Sequence, residues 1–224
     1  LAGTAWIIHA TLRKSIPAIL SGALSIGLLV IAPLFVIEPF RDIWYFVNGY
    51  IGINVYHNPT ILLLKPLALI QFMFAIKILE VSRSNWYEIL AAAMISMAAV
   101  FTKPSFIICL IPALGFLVLF KMIKKQPLDW WGLIFGIALP STAILVWQFV
   151  ITFGPEADSS VIFAPLQVMS YYSKLLLPKF LLSAAFPILV TILTIKTSLK
   201  DKWMQMGWLT FIGGAVFTYL FAES

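Results

Sequence analysis

Seven apolar runs make up most of the chain, at 16–37, 60–79, 86–101, 104–120, 130–153, 180–195 and 203–221, separated by short polar breaks except at 38–59 and 154–179, where the breaks are long. A helix needs roughly 20 apolar residues to cross a bilayer, within a range of about 17–25. Each run is therefore read as a membrane-spanning helix, with 86–101 and 180–195 on the short side. Pro17 suits the first turn of the first helix. Neither a repeat of 20–50 residues nor an inverted repeat is evident. The pattern predicts an all-α, polytopic transmembrane bundle of about seven spans in one domain over 1–224.

Charge gives the bundle a direction. Arg13 and Lys14 precede the first span, and Lys77 and Arg83 follow the second. Lys121, Lys124 and Lys125 lie between the fourth and fifth, and Lys196, Lys200 and Lys202 between the sixth and seventh. These are ten of the fifteen basic residues, all on one side, which the positive-inside rule makes cytoplasmic. Arg41, Lys65, Lys103, Lys174 and Lys179 fall on the other side, together with the long loops 38–59 and 154–179. Trp86, Trp130, Trp131 and Trp203 mark inner span starts. Trp44, Tyr45, Tyr50, Tyr56, Tyr171 and Tyr172 lie in the outer loops, as expected of interfacial belts. Those loops are apolar themselves and are expected to lie along the membrane as interfacial helices.

Composition agrees. Hydrophobic residues are 62% of the chain and charged ones 11%, against roughly 45–50% and about 25% in soluble domains. Lipid must be the solvent for most of the surface. The net charge of +6 is explained by basic inner loops, and no long basic patch with solvated aromatics points to nucleic acid. Cys109 is the single cysteine, so no internal disulfide can form. The segment 1–12 is too short for a signal peptide and reads as the tail of a preceding span. The chain starts at Leu1 rather than Met and is expected to be a piece of a longer protein.

Candidate chemistry lies at the outer face. The acids Glu38, Asp42, Glu80, Glu88, Asp129, Glu156, Asp158, Asp201 and Glu223 all fall near span ends, none at mid-membrane. A proton-coupled pump would use one there, which weighs against a transporter. Gln71 is the one large polar side chain near a midplane and is expected to bond a neighbouring helix. Gly132 and Gly136, like Ser21 and Ser25, form small-xxx-small pairs that most often pack helices within one chain. Glu38 and Asp42, four apart, would share a helix face beside Arg41. They are either a charge-balanced span end or a site for a general base or a metal. His57, in the run His57-Asn58-Pro59-Thr60, is either part of a substrate site or simply precedes the cap of the second span. Lys65 and Lys103 each precede a proline near an outer span end. They either snorkel to lipid phosphate or hold the phosphate of a lipid-linked substrate, with Arg41 as a possible third cation.

The layout of many spans, short basic inner loops and acids in a long outer loop resembles the GT-C type of membrane glycosyltransferases. The segments HNPTILLLKPLAL, FTKPSFIICLIPAL and FGPEADSSVIFAPL look similar to bacterial members of that group. The resemblance implies transfer of a sugar from a polyprenyl-phosphate donor at the outer face of the plasma membrane, in contact with membrane lipids. Asp42 or Glu38 would serve as base, and Lys65 and Lys103 would face the phosphate. Lysine or a divalent cation would stabilise the leaving lipid phosphate. The family's paired-acid signature is absent. A polysaccharide polymerase or ligase, or a transporter or flippase of a lipid-linked or anionic substrate, shares the outer cations and stays open.

Overall fold

The computed structural model of the chain describes residues 2–34, 59–154, 161–167, 170 and 175–223. Within them the fold is mostly helical. Helices α1 (Ala2–Leu12) and α2 (Ala18–Leu34) pack on each other, and α3 (Pro59–Glu80), α4 (Trp86–Thr102) and α5 (Ser105–Ile123) follow. A further helix is π-helical over Gly132–Ala138 and α-helical over α6 (Leu139–Phe153). Strand β1 (Val161–Phe163), helices α7 (Leu176–Ser183), α8 (Ala185–Leu193), α9 (Ile195–Ser198) and α10 (Lys202–Leu220), and strand β2 (Phe221–Glu223) complete the order.

Helices cover parts of all seven predicted runs, but length and apolarity single out fewer as spans. Pro59–Glu80, Ser105–Ile123 and Gly132–Phe153 are each long and apolar enough to cross a membrane. Leu176–Leu182 and Pro187–Leu193, bent by 60°, make a fourth if counted as one. At about 1.5 Å per residue, α3 reaches about 33 Å and α5 about 28 Å, against roughly 30 Å of hydrocarbon. The 17-residue α4 reaches only about 26 Å. Helix α10 is as long as α5 but carries Lys202, Gln205, Thr210 and Thr218. In the predicted outer loop 154–179, residues 161–163 form a strand rather than an interfacial helix. It pairs antiparallel with β2, Ile162 opposite Ala222. Backbone groups at the end of α10 thereby gain partners, with the Ala164 and Leu166 N–H groups donating to Leu220 and Tyr219.

Side-chain contacts fix the helix directions. Lys77 near the end of α3 pairs with Glu88 at the start of α4 at 2.6 Å. Lys121, near the end of α5, donates to the Leu79 carbonyl in the last turn of α3. Lys202, at the start of α10, lies 3.9 Å from Glu80. Consecutive long helices therefore alternate, and one end of the bundle gathers Lys77, Glu80, Glu88, Lys121, Asp129 and Lys202. The bent α7–α8 path runs opposite to α10. Its Phe180 meets Tyr219, with ring centroids 5.4 Å apart, while Thr191 accepts from the Trp208 indole at 2.7 Å. Phe180 also stacks on Phe211, with centroids 6.3 Å apart, so the bent path packs along α10 as either a broken span or a re-entrant pair.

Polar residues at three of the described span ends serve as caps. Asn85 caps α4, its side chain accepting from the Glu88 N–H at 2.9 Å. Asp201 caps α10 through the Trp203 and Met204 N–H groups. Asp129 precedes the helix that begins at Trp130 and accepts from the Gly132 N–H at 3.1 Å. Its second oxygen accepts from the Ser84 N–H at 2.7 Å and ties the α3–α4 turn to that helix. Each cap satisfies backbone donors that the first turn leaves open. Burial alone would push the Asp129 carboxyl up, but the hydrogen bonds from Ser84 and Gly132 and the nearby Arg83 charge outweigh it and hold it below its ordinary value.

The core joins Ile76 and Leu79 of α3, Ala92 and Val100 of α4, Ile107 and Leu110 of α5, Leu133 and Ile137 of the π-helical stretch, and Met206 of α10. Outward positions stay apolar: Ile19 is 90% exposed and Phe149, Val150 and Ile151 form an exposed row, as lipid-facing surfaces require. Gly132 and Gly136 pack within the chain, as their spacing suggests. A Cβ on Gly136 would meet Ala92 at 3.3 Å, and one on Gly132 would meet Ile78 at 2.9 Å. Pro140 lacks the N–H that would bond Gly136 in an α-helix, and its ring would crowd that carbonyl. The π-helical register just before it relieves the conflict. The Ser96 hydroxyl donates to the Gly136 carbonyl at 3.2 Å, and Gln71 donates to Ser96 at 3.1 Å. Gln71 thus makes the interhelical bond expected of it.

Candidate functional site

The end of the bundle opposite the acidic caps carries two of the six residues expected to form a site. Lys65 stands six residues into α3, and Lys103 caps the end of α4. Glu38, Arg41, Asp42 and His57 lie outside the described residues. Pro59 occupies the first turn of α3, the place that proline favours.

Lys103 forms the tight turn its sequence predicts. Its backbone is extended at φ −167° and its N–H donates to the Ala99 carbonyl, while Pro104 leads into α5. Proline restricts the preceding residue to extended backbone, which ends α4 there. One turn on, Phe106 reaches a groove shared with α3.

That groove has a volume of about 400 Å³. Helix α3 supplies Lys65, Ala68, Leu69 and Phe72, a spacing of three, four and seven residues that puts them on one helix face. Phe106 closes one side and Thr4 and Ile8 of α1 the other. Helix α1 is seated against α3 near Gly3, where a Cβ would be 3.7 Å from the Pro66 Cβ. A second tie holds α1 to α2. The Ser21 hydroxyl donates to the His9 carbonyl at 2.9 Å and lies 2.7 Å from His9 Nδ1. Since a carbonyl only accepts, the Ser21 proton is committed to it and Nδ1 is the donor to Ser21.

The groove is apolar apart from two groups. Lys65 is half-buried and takes part in an interaction within the protein. Thr4 is buried, and among the described residues its hydroxyl oxygen has no hydrogen-bond partner. A half-buried lysine at one end of an apolar channel suits an anionic head on a hydrocarbon chain. Among the described residues, no three His, Cys, Asp or Glu side chains come together as metal ligands.

Lys65 and Lys103 stand out in the sequence as cations at span ends expected to face outward, and the structure places both at one end of the bundle. The sequence does not show α1 as a wall of the site, because 1–12 reads as an isolated span tail and nothing in it says which helix it meets. The face formed by 65, 68, 69 and 72 was available from helical spacing alone. Comparison with protein-family models, curated proteins and solved structures finds no match to this chain.

Proposed function

We propose that this chain is the membrane domain of a glycosyltransferase-like enzyme that takes a sugar from a lipid-phosphate donor at the extracytoplasmic face. The observation that carries the reading is the half-buried Lys65 set in an apolar groove, at the same end of the bundle as Lys103. In this reading α2, α3, α4, α5, the 130–153 helix, the α7–α8 path and α10 make seven crossings. The end bearing Lys77, Lys121 and Lys202 is cytoplasmic, following the excess of basic residues in those loops.

Asp42, or Glu38 in its place, takes the proton of the acceptor hydroxyl. The acceptor oxygen bonds to the anomeric carbon as the bond from that carbon to the phosphate oxygen breaks. Lys65 and Lys103, with Arg41, balance the charge left on the lipid phosphate. His57 belongs to the same substrate site, and a divalent cation can share the phosphate charge.

Transfer from a polyprenyl-phosphate sugar in isolated membranes tests this. Asp42→Asn and Lys103→Gln should each lower turnover at least a hundredfold with expression and insertion unchanged. Full turnover in both variants would overturn the site. The 60° break between α7 and α8 is the feature that favours carriage of a substrate instead, since transporter sites often use discontinuous helices. Uptake into proteoliposomes without covalent change would decide for that reading.

A further inference from the structure

We propose that the corner where α4 and the helix from Trp130 begin seats the headgroup of an anionic phospholipid, with Arg83 and Lys125 on its phosphate. The inference is independent of sugar transfer and needs only that the bundle lies in a membrane. It starts from one tie. Asp129 accepts from the Ser84 N–H at 2.7 Å, so the first turns of the two helices stand side by side. Each first turn carries a pair of exposed aromatic residues, Trp86 with Tyr87 and Trp130 with Trp131. Such side chains favour the depth of lipid headgroups, where the ring body is in apolar surroundings and its polar edge stays wet. Gathered at one corner, they put headgroups beside the turn that bears Arg83.

Charge then selects the headgroup. Arg83 is exposed just before Ser84, and Lys125 is exposed at the end of α5. Lys125 is held in place by its backbone, which is left-handed at φ 54°. The Lys125 and Gln126 N–H groups donate to the Met122 and Lys121 carbonyls at 2.9 Å and close that end of the helix. Lys121 in turn donates to the Leu79 carbonyl, which seats this end of α5 against the end of α3, next to the turn bearing Arg83. The neighbouring acids are engaged within the protein. Asp129 is buried with both oxygens bonded, Glu88 is bonded to Lys77 at 2.6 Å and Glu80 lies 3.9 Å from Lys202. A zwitterionic headgroup would need an open acid for its ammonium as well as cations for its phosphate, whereas an anionic one needs the cations alone. The arginine fork matches two phosphate oxygens and lysine adds a point charge, and basic residues at this depth draw anionic lipid.

The test is photo-crosslinking of the full chain in phosphatidylcholine nanodiscs with phosphatidylglycerol that carries a diazirine near its headgroup, followed by peptide mapping. Labelling should fall on peptides around Arg83–Tyr87 and Lys125–Trp131. Excess unlabelled phosphatidylglycerol should remove it, while added phosphatidylcholine or free glycerol phosphate should not. Arg83→Gln combined with Lys125→Gln should reduce labelling at least tenfold, and Trp131→Ala should reduce it severalfold. These side chains are exposed, so the variants should keep the thermal midpoint of wild type. Arg13→Gln combined with Lys14→Gln removes as much charge from the exposed α1–α2 turn and should leave labelling unchanged. An equal loss in that control pair would mean that overall charge, not this corner, draws the lipid. That result, displacement by phosphatidylcholine or glycerol phosphate, or labelling spread evenly over the turns of this end would overturn the proposal.

Discussion

Replacing Asp129 by alanine should destabilise the bundle more than any other single change at a span end. The carboxylate is 2% exposed and holds two backbone donors, the Ser84 N–H at 2.7 Å and the Gly132 N–H at 3.1 Å. A hydrogen bond to a charged group contributes about 1.5–3 kcal/mol, and loss of an N-cap side chain costs about 0.5–2 kcal/mol. Both bonds end on one side chain, so the losses overlap, and about 2–4 kcal/mol is expected. For a chain of this size that is a fall of about 5–15 °C in Tm. Asp129→Asn keeps one oxygen and turns an amide N–H toward the second donor, so it should lose about half as much. The assay is the midpoint of heat-induced loss of the monodisperse peak in detergent. The sign with pH follows from the lowered carboxyl. Its stabilisation is complete above the ordinary carboxylate range and is lost as pH falls through the folded-state value below it. The gap between wild type and Asp129→Ala should therefore close under acid conditions. An alanine variant within about 2 °C of wild type at neutral pH would refute the argument that this carboxylate ties the α3–α4 turn to the next helix.

Two glycines should behave oppositely in the same assay. A Cβ on Gly132 would lie 2.5 Å from Asp129 Oδ2, whereas among the described residues nothing lies within 4 Å of one on Gly115. Gly132→Ala should cost about 1–3 kcal/mol, and Gly115→Ala should be neutral or gain up to about 1 kcal/mol; equal midpoints would contradict the packing. Ser96→Ala, which strips the donor from the Gly136 carbonyl, should cost about 0.6–1.7 kcal/mol. Gln71→Leu loses the hydrogen bond to Ser96 but also removes a buried amide oxygen that has no partner among the described residues, so the two offset and its midpoint should stay within about 1 kcal/mol of wild type; a much larger loss would contradict that offset.

The sequence pattern located the helices because hydrocarbon demands long apolar runs and punishes charge within them. Trp86, Trp130 and Trp203 mark helix starts, yet of the caps beside them Asp129 and Asp201 show in the sequence only as charges at span ends, and Asn85 does not stand out at all. Their role depends on which backbone donors lie within reach, and for Asp129 one of these is 45 residues away at Ser84. The strand at 161–163 was missed for a related reason: its partner β2 lies far along the chain. The site divides the same way. Lys65 and Lys103 stand out because positive charge is unusual at the span ends expected to face outward, whereas nothing in 1–12 shows that α1 packs against α3.

Native mass spectrometry of the chain released from nanodiscs tests most directly whether this end of the bundle holds a lipid phosphate. With polyprenyl phosphate present, wild type should retain one copy per chain. Lys65→Gln combined with Lys103→Gln should reduce occupancy at least tenfold, while Lys124→Gln, an exposed lysine at the opposite end, should leave it unchanged. Equal retention by wild type and the double variant would contradict the account.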